Sequence, residues 1–154
     1  MRFVPIAVSF CALSIALTLV PPRAWGLDDK VLDPSAIAAL EVKAAQAEPK
    51  EQCYLYAELV HQMTELAGRQ YTAGKPGDAS ATLKVVQRYA EKIRNNVAAD
   101  SRKLKDAEML MQRTSFRLKD ILESRSYDER PALDATLKDL DQVQNQLMME
   151  VFKK

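Results

Sequence analysis

From Asp78 to Arg125 the chain contains neither glycine nor proline, and no other feature constrains its fold as much. Within that stretch Leu83, Val86, Ala90, Ile93, Val97, Leu104, Ala107, Met111, Leu118 and Ile121 recur at alternating spacings close to three and four. That is the apolar stripe of an amphipathic helix. The pattern lapses only at Asp100 and Thr114. It predicts one continuous helix of about 46 residues, roughly 70 Å long. A break near Asp100-Ser101 would give two shorter helices instead.

The flanking segments have the same character. Asp33-Pro34 is a helix start, with Asp33 as the cap and Pro34 in the first helical position. The Ala-rich helix it opens runs to about Ala47. A second helix is expected from about Pro49 to Ala73. It stops at Gly74-Lys75-Pro76-Gly77, with Asp78 available to cap the next helix. Pro131 is tolerated only in a first turn, which places the last cap at Asp128. The final helix then carries Leu133, Leu137, Leu140, Val143, Leu147 and Val151 as a narrow seam. No segment alternates apolar and polar residues as a strand does. The expected fold is all-α: a bundle of three to four helices with a long central helix and antiparallel, coiled-coil-like packing. The 49–73 helix should fold back on the first half of the central helix, and the 128–152 helix on the second.

The first 26 residues are set apart. Arg2 precedes a nearly unbroken apolar stretch from Phe3 to Val20, and Pro21-Pro22 end it. Ala24 and Gly26 put small residues at the two key positions before a cut at Gly26-Leu27, the layout of a secretory signal peptide. The rival reading is a retained membrane anchor, since the apolar run approaches spanning length. A lipid anchor at Cys11 fits less well, because Phe10 stands where a small residue is expected. The expectation is therefore a leader at 1–26, an N-terminal segment at 27–48, and a bundle domain at 49–154. The mature chain would be periplasmic or secreted, with no transmembrane span after cleavage.

Cleavage would leave 128 residues, with 20 basic against 21 acidic side chains. Cys53 becomes the only cysteine, so no internal disulfide can hold the fold and packing must. An odd cysteine also makes Cys53 a candidate for a disulfide to a second chain. Charge is distributed along the chain rather than in excess. Lys84 to Lys119 is mainly basic, whereas Asp128 to Glu150 is mainly acidic. The plain account is that the basic helix lies beside its acidic partner. Binding to an anionic surface through the basic helix is the minority reading. Nucleic acid is not expected, because no stacking aromatics are interleaved with the cations.

Glu58, His61 and Glu65 fall at helical spacing around the one histidine and form the candidate metal site. On a wheel, Tyr56, Leu59, Val60, Met63, Leu66, Ala67 and Tyr71 share one arc. His61 lies about 150° from its centre, beside Tyr54, Glu58, Glu65 and Gly68. These three residues are therefore surface candidates. One histidine cannot complete a di-iron site, which needs two Glu-x-x-His elements facing inward. A closed zinc shell is disfavoured on the same count. Met63 and Met111 fall on core positions, whereas Met109, Met148 and Met149 flank the seams and could line an adaptable groove. No phosphate loop, G-x-S-x-G or H-E-x-x-H occurs, so no catalytic residue and no cofactor is assigned.

The stretch ELAGRQYTAGKPGDASATLKVV resembles one tetratricopeptide helix pair: Gly68, Tyr71, a glycine turn, then Ala79 and Leu83. The resemblance covers a single helix-turn-helix with no second copy read downstream. It implies a helical hairpin rather than an array, which needs about three units. The functional expectation is a non-enzymatic exported protein acting through protein–protein contacts, as scaffold, adaptor or holdase-like binder, with a protein partner or a homodimer. The alternative is a bundle that binds a metal or small ligand.

Overall fold

Five α-helices account for most of the residues that the computed structural model describes, 33–98 and 100–153. The expected leader, its cleavage point and residues 27–32 lie outside them. The helices are α1 (Pro34–Gln46), α2 (Pro49–Thr72), α3 (Pro76–Asn96), α4 (Leu104–Glu123) and α5 (Arg130–Phe152), with a single 3-10 turn at Tyr127–Glu129 before α5. No strand occurs among the described residues, and no described helix is long and apolar enough to cross a membrane.

The expected starts hold for α1 and α2, whereas α3 begins at Pro76 after Lys75, with Asp78 inside its first turn rather than as its cap. Asp33 caps α1 by accepting the Ser35 amide at 3.0 Å, and the bond from the Ser35 hydroxyl, then that from the amide, hold its carboxyl below the usual range. Gly74 adopts φ 71 after α2, a left-handed conformation that costs glycine little. Pro131 sits in the first turn of α5, which begins at Arg130 after the 3-10 turn rather than at Asp128 itself.

The long central helix is not formed. α3 ends at Asn96 with Val97 extended, and α4 starts only at Leu104. Ser101 holds the connection: its amide donates to the Ala98 carbonyl at 3.0 Å and its hydroxyl accepts the Ala98 amide at 3.1 Å. A serine that bonds neighbouring backbone in this way competes with helix formation. The Arg102 amide then donates to the Lys50 carbonyl at 2.7 Å, fastening the connection to the first turn of α2. Lys50 and Asp100 pair at 2.8 Å, and Arg102 and Glu51 at 2.6 Å. The physical reason for the reversal is burial. A single helix would give each half one partner, whereas two helices can each bury against two neighbours. Packing of this kind outweighs local helix propensity.

Two hairpins result, α2–α3 and α4–α5, each antiparallel as expected. They pack side by side, α2 against α4 and α3 against α5. These second pairings are parallel. Along α2 and α4 the partners rise together: His61 with Thr114, Glu65 with Arg117, Gly68 with Ile121, Tyr71 with Arg125. Along α3 and α5, Gln87 meets Thr136 and Arg94 meets Gln142. The expectation of antiparallel packing throughout thus holds only within the hairpins.

The second hairpin is buried in the same register as the first. Ala81-Thr82-Leu83-Lys84 recurs as Ala135-Thr136-Leu137-Lys138, with the same order of residue types. Burial follows the same register: Ala79 with Leu133, Thr82 with Thr136, Val86 with Leu140 and Ile93 with Leu147 on the second helices. On the first helices Ala57 matches Met111, Val60 matches Thr114, Thr64 matches Leu118 and Ala67 matches Ile121. The two hairpins thus share a burial register and one four-residue identity, whereas Gly68, Tyr71 and the glycine turn do not recur downstream.

Candidate functional site

The face of α2 that carries Glu58, His61 and Glu65 is not a free surface. It is the seam where the first hairpin meets the second. α2 touches α1, α3 and α4, so it buries more than one stripe: Cys53, Leu55, Ala57, Thr64 and Gly68 join the predicted core residues, while Leu66 is only half-buried. A wheel that assumes one buried arc places His61 outside, and three packed neighbours bring it back in.

His61 is half-buried, with its Nδ1 2.9 Å from the Thr114 hydroxyl. That hydroxyl gives its one proton to the Leu110 carbonyl at 2.7 Å. It can therefore only accept from the ring, which assigns the proton to Nδ1. Burial lowers the His61 pKa; Glu65 opposes the shift, whereas Arg113 and Arg117 add to it. Glu65 is committed elsewhere, since Arg117 Nε lies 3.0 and 3.2 Å from its two carboxylate oxygens. Glu58 lies against Tyr54, whose hydroxyl is pushed up by burial and then by the Glu58 and Asp106 charges. Each candidate ligand thus has its own protein partner. Among the described residues no three His, Cys, Asp or Glu side chains converge to hold a metal ion.

Gly68 shows why this seam is close. A Cβ there would lie 2.9 Å from Ile121 Cδ1. Glycine inside a helix costs about 1 kcal/mol relative to alanine, so its presence at position 68 was the sequence signal that this face meets another helix.

Cys53 is fully buried and unpaired. Burial raises its thiol to about 11, and in this fold the residue has no exposed surface. Met63 and Met111 are core residues, as their positions predicted. Met109, Met148 and Met149 are exposed at 45%, 40% and 59%. Phe116, at 63%, and Phe152, at 80%, join them on the surface of the second hairpin. The sequence reading missed both phenylalanines because it followed the apolar seams. Aromatics that break the polar face of an amphipathic helix were the signal.

The charge asymmetry is used differently from its expectation. α5 does lie beside α3 and α4. Among the described residues, however, none of the ion pairs joins α3 or α4 to α5. Arg94 instead bonds the Gln142 side chain at 3.1 Å, and Gln146 bonds the Arg94 carbonyl at 3.1 Å. The pairs between elements run from α2 to α4 and to the connection before it.

One concavity of about 360 Å³ lies between α1, the start of α2 and that connection, lined by Lys43, Glu51, Tyr54, Leu55, Glu58, Arg102 and Lys103. Lys103 Nζ stands 4.6 Å from the Tyr54 ring centre. Its backbone is left-handed at φ 54, a costly conformation for a residue with a Cβ. Comparison of the chain with protein-family models, with curated proteins and with solved structures finds no match.

Proposed function

We propose that this is an exported, non-enzymatic helical protein that works through protein–protein contacts, as a scaffold, adaptor or holdase-like binder, and that its second hairpin makes those contacts. The observation that carries the reading is the asymmetry of exposed apolar side chains. Met109, Phe116, Tyr127, Met148, Met149 and Phe152 are all exposed on α4, α5 and the turn between them, whereas the α2–α3 hairpin exposes no large hydrophobic residue. Exposed flexible methionines and aromatic rings suit a surface that accepts varied apolar partners. The leader-like N-terminus supports export.

The test is suppression of aggregation of a chemically unfolded model client, with wild type compared against Phe116→Ser/Met149→Ser. The reading expects protection by wild type and its loss in the variant at unchanged helicity. Equal behaviour of the two proteins would exclude it.

A second reading, binding of a small charged ligand, is favoured by the concavity at Lys43, Glu58 and Lys103. Calorimetric titration of Zn²⁺, Cu²⁺ and Cu⁺ tests its metal form. No saturable heat would end it.

A further inference from the structure

The connection between α3 and α4 carries two signals that disagree. Its sequence retains the helical phase: Ile93, Val97, Asp100, Leu104, Ala107 and Met111 continue one three-four register without insertion or deletion. Asp100 is the single polar interruption, and no glycine or proline intervenes. Its backbone nevertheless turns back, with Lys103 held left-handed at φ 54. Natural turns that need a positive φ use glycine; this one forces it on a lysine. A strained hinge between two units that fit one another invites exchange between copies.

The contact between the hairpins is suited to such exchange. It is made from side chains on both sides, His61 to Thr114, Glu65 to Arg117 and Gln87 to Thr136. Only the connection makes that contact intramolecular. The same pairs form equally well when the two hairpins belong to different chains.

We propose that the chain has a second folded state, a domain-swapped dimer in which α3, the connection and α4 join into one helix. Each α2–α3 hairpin then packs on the α4–α5 hairpin of a second copy. The joined helix, Pro76 to Glu123, would be about 72 Å long at 1.5 Å per residue. The closed state is latched by the Arg102 amide on the Lys50 carbonyl and by the pairs Lys50–Asp100 and Arg102–Glu51. Opening gives up that latch and releases the strain at Lys103. Asp100 sets the balance, because it both holds the latch and is the polar break in the helical stripe. The inference does not depend on the binding role proposed above.

The experiment refolds the mature chain at low and at high protein concentration and separates monomer from dimer by size-exclusion chromatography with light scattering. Asp100→Leu should raise the dimer share. Lys103→Gly, which relieves the turn and weakens the joined helix, should lower it by roughly a hundredfold where monomer predominates, about tenfold for the left-handed residue in each of the two chains. Both variants are checked for wild-type helicity by circular dichroism. In a Cys53→Ala background, Glu65→Cys and Arg117→Cys then report which chains meet. In the dimer peak this pair should crosslink between chains, giving a covalent dimer on a non-reducing gel. A well-folded Asp100→Leu protein with no dimer at any concentration overturns the proposal, and so does a dimer whose 65–117 crosslink stays within one chain.

Discussion

His61 and Thr114 face each other across the contact between the two hairpins, Nδ1 to hydroxyl at 2.9 Å, although they are 53 residues apart in sequence. The pair fixes the parallel register of α2 and α4. It also makes the seam sensitive to protonation. The groups facing the ring are Glu65 on its own helix and Arg113 and Arg117 on α4. The His61 pKa is lowered on folding, so the neutral ring stabilises the fold. That contribution is present above the ordinary histidine value near 6.5 and is lost as pH falls through the lower folded value. Urea midpoints measured from pH 8 to pH 5 should therefore fall on the acid side. His61→Gln should flatten that part of the curve.

Gly68 tests the closeness of the same seam. Alanine there gains about 1 kcal/mol of helix propensity but must displace Ile121 Cδ1, which a new Cβ would meet at 2.9 Å. In wild type the two effects should nearly cancel. In an Ile121→Val background, which removes that methyl, Gly68→Ala should stabilise by about 1 kcal/mol. A double-mutant cycle from chemical unfolding reads the coupling.

Cys53 should not react with a thiol reagent in the native protein, because it is fully buried. It should react fully in denaturant. With its thiol raised to about 11 by burial, the folded state keeps the proton longer than the unfolded one. Stability is complete below the unfolded value and should fall as pH rises toward 11. Native thiol titration and a non-reducing gel check both points; native protein should show no disulfide dimer.

Leu118 and Leu140 have no exposed surface, so Leu118→Ala or Leu140→Ala should each cost about 2–5 kcal/mol. Met149→Ala, at an exposed site, should stay within about 0.5 kcal/mol. It should nonetheless weaken client protection. The contrast separates side chains that hold the fold from those offered to partners.

Local chemistry made much of this legible. The Asp33-Pro34 start, the Gly74–Gly77 stop and the Pro131 first turn follow from capping and backbone rules, and the apolar seams of α3, α4 and α5 became core. What could not be read was which helices meet. The stripe from Leu83 to Ile121 is equally compatible with one helix and with two that turn back. The choice rests on the Lys50 carbonyl and the burial gained by pairing hairpins, both long-range, with the local Ser101–Ala98 bonds shaping the turn. His61 was misplaced for the same reason, since a wheel sees one helix and not its three neighbours. Gly68 and the repeated Ala-Thr-Leu-Lys were the two sequence marks of the second contact.

The most direct test of the two-hairpin arrangement is a spin-label distance between Arg88 on α3 and Gln112 on α4. It is measured by pulsed dipolar spectroscopy on cysteine variants in a Cys53→Ala background, on the monomer fraction isolated by size-exclusion chromatography. Both positions lie eight residues from the connection. Folded back within one bundle, where neighbouring axes are about 8–10 Å apart, they should be separated by about 15–20 Å between backbones. A continuous helix would separate them by about 36 Å. A distribution centred below about 25 Å, allowing for the labels, is the predicted result. One centred near 36 Å in the monomer would contradict the account.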